Sequence, residues 1–134
     1  MGGKPNIRFL QVNLQHSKGA SDVLNSTFTC KNIDIGLLQE PYVYGGLIRR
    51  LTNKKGKLVY SKDHNTPRAA MLIRSSLNFL PLSQYITRDL VAVEMEVPTD
   101  MGKEAIVIAS AYFPGIWSPF RQLILSNWLT TATK

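Results

Sequence analysis

Three polar residues stand where strand-like runs end, and their types suit chemistry on a phosphate. Asn13 closes residues 7–13, Glu40 follows residues 34–39, and Tyr112 lies near the end of residues 105–113. A single carboxylate such as Glu40 can hold Mg²⁺, because that ion keeps several waters and leans on substrate phosphates for other ligands. An asparagine beside it can orient the carboxylate or touch the ion's waters. A tyrosine hydroxyl nearby can donate to a phosphate oxygen on which negative charge grows. Pro41 stops the strand directly after Glu40, which puts the carboxylate at the rim of a sheet, where open α/β sheets gather ligands. Each residue also has an ordinary use. A glutamate after a strand is usually a solvated rim residue, and spacing alone makes this a weak constellation.

The elements that must position these residues follow from periodicity. Residues 7–13 mix β-branched and aromatic types and read as a strand. From Ser17, in an N-cap position, Ala20, Val23, Leu24 and Phe28 fall at helical spacing. Residues 34–39 form a short apolar run and predict a buried strand. Residues 41–56 are rich in Gly, Tyr and basic types and predict a long surface loop. Two strands over 57–60 and 69–73 are split by turn-forming residues 63–67. Residues 90–97 alternate, with Glu94 and Glu96 on one face and Val93, Met95 and Val97 on the other. Residues 105–113 are the most apolar run in the chain and predict burial on both faces. Ser118-Pro119 opens a last helix, with Phe120, Leu123, Ile124 and Trp128 on one side. The order predicts a single α/β (α+β) domain over 1–134, with more strands than helices and some antiparallel pairing.

Composition narrows the partners. The chain has 134 residues, 44% hydrophobic and 19% charged, which excludes an intrinsically disordered chain. No run approaches the ~18 apolar residues of a membrane helix, and no apolar core follows Met1-Gly2-Gly3-Lys4-Pro5 to make a secretory signal. Sixteen Lys and Arg against nine Asp and Glu give a net charge of +7. That excess favours a polyanionic partner, nucleic acid before membrane, since no long basic amphipathic helix is visible. Arg49, Arg50, Lys54, Lys55 and Lys57 concentrate it in and beside the 41–56 loop, near the predicted rim. They are phosphate contacts or simply a solvated basic loop. Cys30 is the only cysteine, so neither an internal disulfide nor a cysteine zinc site is open to the chain. The chain reads as intracellular, with Cys30 a small buried or half-buried hydrophobe.

Four strings occur in a telling order. They are Phe9-Leu10-Gln11-Val12-Asn13-Leu14-Gln15-His16-Ser17-Lys18, Asp34-Ile35-Gly36-Leu37-Leu38-Gln39-Glu40-Pro41-Tyr42-Val43, Pro67-Arg68-Ala69-Ala70 and Ala109-Ser110-Ala111-Tyr112-Phe113-Pro114. Together, across residues 7–115, they resemble the apurinic-endonuclease-like domain of non-LTR (LINE-type) retrotransposons, of the exonuclease–endonuclease–phosphatase superfamily. The resemblance implies a four-layer αββα sandwich, of which this chain would form part. It implies that Asn13 and Glu40 sit at a site for Mg²⁺, or Mn²⁺, and that Tyr112 contacts the scissile phosphate. Arg68, inside a matched string, becomes a DNA contact. The implied reaction is metal-assisted hydrolysis of a DNA phosphodiester in the nucleus, leaving a 3′-hydroxyl that primes a reverse transcriptase domain of the intact protein.

The departures from the family are equally specific. The family also needs an Asp-x-Asn pair on the next central strand and a Ser-Asp-His cluster near its end, and neither stands in its place here. Asp63-His64-Asn65 lies in an early hairpin loop, where its turn-forming composition explains it. His16 fits a solvated or helix-start residue better than a catalytic base. The chain is therefore expected to be the N-terminal half of a nuclease domain, truncated and inactive alone. One alternative is a nucleic-acid-binding remnant without hydrolysis. A lower-ranked one is another superfamily phosphoesterase, an inositol-phosphate phosphatase or a sphingomyelinase.

The charge balance gives a first testable outcome. Binding to duplex DNA should be weak, non-specific and steeply weakened between about 50 and 200 mM salt, because Lys and Arg release counterions from phosphates. Fluorescence anisotropy on a labelled duplex measures this, and a salt-independent affinity would exclude the basic residues as DNA contacts.

Overall fold

A computed structural model describes residues 7–113. The helix expected from Ser118 lies outside the described residues. In chain order come β1 (Phe9–Asn13), α1 (Lys18–Cys30), β2 (Ile35–Gln39), β3 (Val43–Tyr44), β4 (Leu47–Ile48) and β5 (Gly56–Val59). There follow β6 (Ala69–Arg74), β7 (Phe79–Pro81), β8 (Leu90–Thr99) and β9 (Gly102–Ala111). One sheet has the order β1-β2-β6-β5, a second has β7-β8-β9, and β3 and β4 form a small hairpin. Among the described strands only β1 and β2 pair in parallel. A parallel pair needs a crossover, and α1 supplies it.

The helix starts where the sequence places it. Ser17 is the N-cap, and its Oγ accepts from the Ala20 amide at 3.1 Å. Leu24 and Phe28 face the core, as their spacing predicts, together with Ser21. Val23 does not join them; it is 66% exposed. Inward positions recur at 21, 24 and 28, and 23 falls off that stripe. Cys30, expected to be buried or half-buried, is exposed at the end of the helix.

Alternation along the strands divides the core into two. Leu38, Ala70 and Leu72 point toward α1 and pack with Leu24 and Phe28. Their neighbours Ile35, Leu37, Ala69, Met71 and Ile73 point the other way, against Val91, Val93 and Met95 of β8 and Ile108 of β9. A period of two thus buries both faces of the central strands, one under a helix and one under a sheet. The described residues form three layers of the α+β sandwich: helix, sheet, sheet. No helix among them is long and apolar enough to cross a membrane.

Two expectations need correction. Residues 41–56 do not form a plain surface loop, because they contain the β3–β4 hairpin and bury Ile48 and Leu51 against the α1 side of the core. The last strand is not buried along its length. Gly102 to Ala105 are exposed, and only Ile108, Ala109 and Ser110 are buried. The cause is length: β8 and β9 have 10 residues each, β2 has 5 and β6 has 6, so the long hairpin overhangs the central sheet.

Phe28, 2% exposed, anchors the helix layer. Truncation of a buried phenylalanine to alanine costs about 3–5 kcal/mol. Phe28→Ala should therefore lower the denaturation midpoint severely, and Val23→Ala should leave it nearly unchanged, as measured by urea titration.

Candidate active site

The ends of three strands meet at one rim. Asn13 stands opposite Gln39, and Gln39 stands opposite Ala69. Beyond the ladder, the Leu14 amide donates to the Gln39 carbonyl at 2.8 Å and the His16 amide to the Glu40 carbonyl at 2.9 Å. The Glu40 amide in turn donates to the Arg68 carbonyl at 2.8 Å. Asn13, Glu40 and Arg68 therefore share one end of the first sheet.

The second sheet delivers Tyr112 to the same end. Leu90 pairs with Ala111, and the Tyr112 amide donates to the Asp89 carbonyl at 2.8 Å. The Arg68 amide donates to the Arg88 carbonyl at 2.7 Å, which ties the start of β6 to the start of β8. The Arg68 guanidinium lies over the Tyr112 ring, 5.2 Å from its centroid. Such a contact contributes about 0.5–1 kcal/mol at an exposed site and orients both groups.

Glu40 itself is in an unusual conformation. Its φ is +49°, in the left-handed region that disfavours side chains. Both its backbone groups are bonded, its side chain is half-buried, and the carboxylate has no hydrogen-bond or ion-pair partner among the described residues. Backbone strain of this kind persists only where the surroundings over-determine it, and it clusters at functional sites. Asn13 is exposed, and its Oδ1 accepts from the Gln15 amide at 2.9 Å, a turn that leads from β1 toward the helix.

Two charged residues that sequence reasoning missed complete the rim. Arg88 makes two bonds to the Asp89 carboxylate, at 3.1 and 3.2 Å, and Arg68 Nε lies 3.6 Å from it. All three are partly exposed, so the pairs orient side chains more than they stabilise the fold. The available signal was slight: an adjacent Arg and Asp at the start of a strand. Next to the rim is an open cleft of about 350 Å³ lined by His16, Tyr42, Asn65 and Pro67, among others. His16 Nδ1 lies 3.1 Å from the Pro41 carbonyl. A carbonyl only accepts, so Nδ1 carries the proton. With its amide on Glu40 as well, His16 braces the turn at Glu40 and Pro41, in keeping with a helix-start role.

The basic cluster does not stay together. Arg49 donates through Nε to the Tyr44 carbonyl at 3.2 Å and sits on the hairpin beside the rim. Arg50 turns toward α1, where it pairs with Asp22 at 3.7 Å. Lys54 and Lys55 were expected near the rim and are not. The Ser75 amide donates to the Lys55 carbonyl at 2.8 Å, and Ser75 follows β6 at the end opposite Arg68. Residues 49–55 run along α1 from one end of the sheet to the other, a path invisible to composition.

The donor set at the rim is sparse. Among the described residues no three His, Cys, Asp or Glu side chains lie together. A structural zinc site is therefore not built here. What the rim offers is one carboxylate, Glu40, at the same end of the sheets as Tyr112 and Arg68.

The geometry has counterparts. The endonuclease domain of TRAS1, a telomere-specific non-LTR retrotransposon, superposes with a TM-score of 0.62 at 27% identity, covering 81% of this chain and 45% of that one. The chain resembles a non-LTR retrotransposon endonuclease domain. Its α+β sandwich is that of the TRAS1 endonuclease domain over the part the two share. Humanized D. rerio TDP2 matches with a TM-score of 0.51 at 12% identity over 90% of this chain and 54% of its own, a likeness of fold. An endonuclease/exonuclease/phosphatase family protein from Leptotrichia buccalis C-1013-b gives a TM-score of 0.49 at 15% identity, over 81% and 54%. The chain thus spans about half the length of the solved structures it matches. No protein-family model matches its sequence, and neither does any curated protein.

The left-handed Glu40 generates its own test. Removing a side chain at positive φ relieves about 1 kcal/mol of steric strain. Glu40→Gly should therefore unfold at higher denaturant than Glu40→Ala. The reverse order would mean that the residue relaxes to an ordinary conformation in solution.

Proposed function

We propose that this chain is part of a Mg²⁺-dependent DNA endonuclease domain of a non-LTR retrotransposon, nicking target DNA to prime reverse transcription. In the intact protein its partners are nuclear DNA and a reverse transcriptase domain. One observation carries the reading: a half-buried carboxylate without a partner among the described residues, held in a strained conformation beside Arg68 and Tyr112. A carboxylate kept this way is poised for a cation.

Each residue has a defined task in that reaction. Glu40 holds the ion, Mg²⁺ or Mn²⁺, and Asn13 orients the carboxylate or the ion's waters from the neighbouring strand. When bound, the metal polarises the scissile phosphate and stabilises the leaving oxygen. The Tyr112 hydroxyl donates to a phosphoryl oxygen where charge develops. Arg68 keeps the Tyr112 ring in place and adds positive charge beside it, and Arg49 extends the phosphate contact along the hairpin. The family's Asp-x-Asn pair, which positions and activates the attacking water, and its Ser-Asp-His cluster, whose histidine contacts the phosphate, have no counterpart at their family positions in these 134 residues.

Two measurements test the reading. Mn²⁺ binding, followed by water-proton relaxation, should be present in the wild type and lost in Glu40→Gln. Retention in that variant removes Glu40 from the site. Nicking of supercoiled plasmid by these 134 residues should stay near background, because positioned acid–base groups contribute about 10²–10⁴-fold. Robust nicking that disappears in Glu40→Ala would show instead that the half-domain completes a site by itself.

A further inference from the structure

The displaced lysines line a second pocket. It has a volume of about 310 Å³ and lies at the end of the sheet away from Glu40. Phe28 and Ile33 form its floor, and Lys54, Lys55, Arg74 and Ser75 stand around it. The length of β2 separates this pocket from the rim, about 15 Å at ~3.3 Å per residue.

Charge at this pocket is unbalanced. Arg74 pairs with Asp34 at 3.1 Å. Lys54 and Lys55 are exposed and have no acidic partner among the described residues. Their backbone, by contrast, is fixed. The Lys55 amide donates to Asn53 Oδ1 at 2.8 Å, and the Lys55 carbonyl accepts from Ser75 at 2.8 Å. Asn53 Nδ2 reaches Thr29 Oγ1 at 3.3 Å, on the last turn of α1. Gly56 completes the corner, since a Cβ there would lie 2.9 Å from Leu72 Cδ1 and 3.1 Å from Phe28 Cε1. The two ammonium groups are thus carried on a braced corner.

Helix capping does not explain them. Three of the last four carbonyls of α1 are already met by backbone amides: Thr27 by Lys31, Thr29 by Asn32 and Phe28 by Ile33. The Lys31 carbonyl accepts from Arg8 at 3.0 Å. Lysines near a helix C-terminus often serve those groups, and here neither lysine is bonded to one, most being met by other donors.

We propose that the pocket between the end of α1 and the Lys54–Lys55 corner is a phosphate-binding site, remote from Glu40, for a nucleotide or a nucleic-acid strand. Lys54 and Lys55 supply the charge, and the Ser75 and Ser76 hydroxyls supply neutral donors to the phosphate oxygens. The apolar floor accepts the less polar part of the ligand. A fixed backbone lowers the ordering cost of binding.

The test is amide NMR of the whole chain titrated with pyrophosphate, with dAMP, and with a short oligonucleotide lacking terminal phosphates, all without metal. Shifts at Lys55, Ser75 and Ser76, saturating before any at His16 or Arg68, are the expected result. The oligonucleotide arm assigns the site to a strand and the dAMP arm to a free nucleotide. Lys54→Ala/Lys55→Ala, which changes exposed side chains only, should weaken the response about tenfold or more, as loss of charged hydrogen bonds does. No response to any of the three probes, or an equal response in the double variant, overturns the site. Neither result bears on Glu40, whose Mn²⁺ binding is read separately.

Discussion

A buried polar link between the two sheets sets everything at the rim. Gln39, 1% exposed, donates from Nε2 to Ser110 Oγ at 3.2 Å, and Ser110 Oγ donates to the Leu38 carbonyl at 3.0 Å. The apolar contacts around it are non-directional and tolerate sliding of one sheet over the other. Hydrogen bonds do not, and inside a dry core an unmade one costs about 1–3 kcal/mol. The pair therefore locks residue 39 of the central sheet against residue 110 of the outer one. No buried side-chain polar atom is left unpaired among the described residues, so the link carries no hidden penalty.

Glu40 and Tyr112 are the residues just beyond that lock. Their placement at one end of the two sheets is a consequence of register, one residue past Gln39 and two past Ser110. Arg68 is fixed by the same logic from a third strand, because its carbonyl takes the Glu40 amide and its own amide takes the Arg88 carbonyl. The backbone of Glu40 is bonded on both sides and followed by a buried proline, so it cannot escape its left-handed conformation without breaking the rim. Strain at one residue is maintained by order in its neighbours.

How much of this the sequence carries depends on whether the cause is local. Strand ends at Asn13 and Glu40, the cap at Ser17 and the alternation over 90–97 are local, and they are legible. The convergence of Asn13, Glu40, Arg68 and Tyr112 is legible through the four ordered strings and not through periodicity. The destination of Lys54 and Lys55 is not legible, because it depends on residues 49–55 being pinned along α1 by Asn25 and Asn53. Val23 misleads because helical spacing allows two adjacent stripes and only packing selects one. The exposed start of β9 misleads because its hydropathy does not reveal that the central strands it packs against, β2 and β6, are about half as long. Arg88 and Asp89 offer only an adjacent pair of charges before a strand, and the pairing of β8 with β9 brings them to Tyr112.

Asp89 also resolves a conflict built into the rim. A carboxylate beside an arginine ordinarily forms an ion pair, and a paired Glu40 would be a poor site for a cation. Two guanidinium groups, Arg68 and Arg88, stand within reach of this end of the sheet, yet both are directed to Asp89. Asp89 thereby keeps Glu40's negative charge uncompensated by any side chain among the described residues. It also holds Arg68 where its guanidinium covers the Tyr112 ring. The rim then presents two signs of charge side by side, a free carboxylate and an ordered guanidinium. The proposed binding of a metal ion and a phosphate together draws on that pairing of charges.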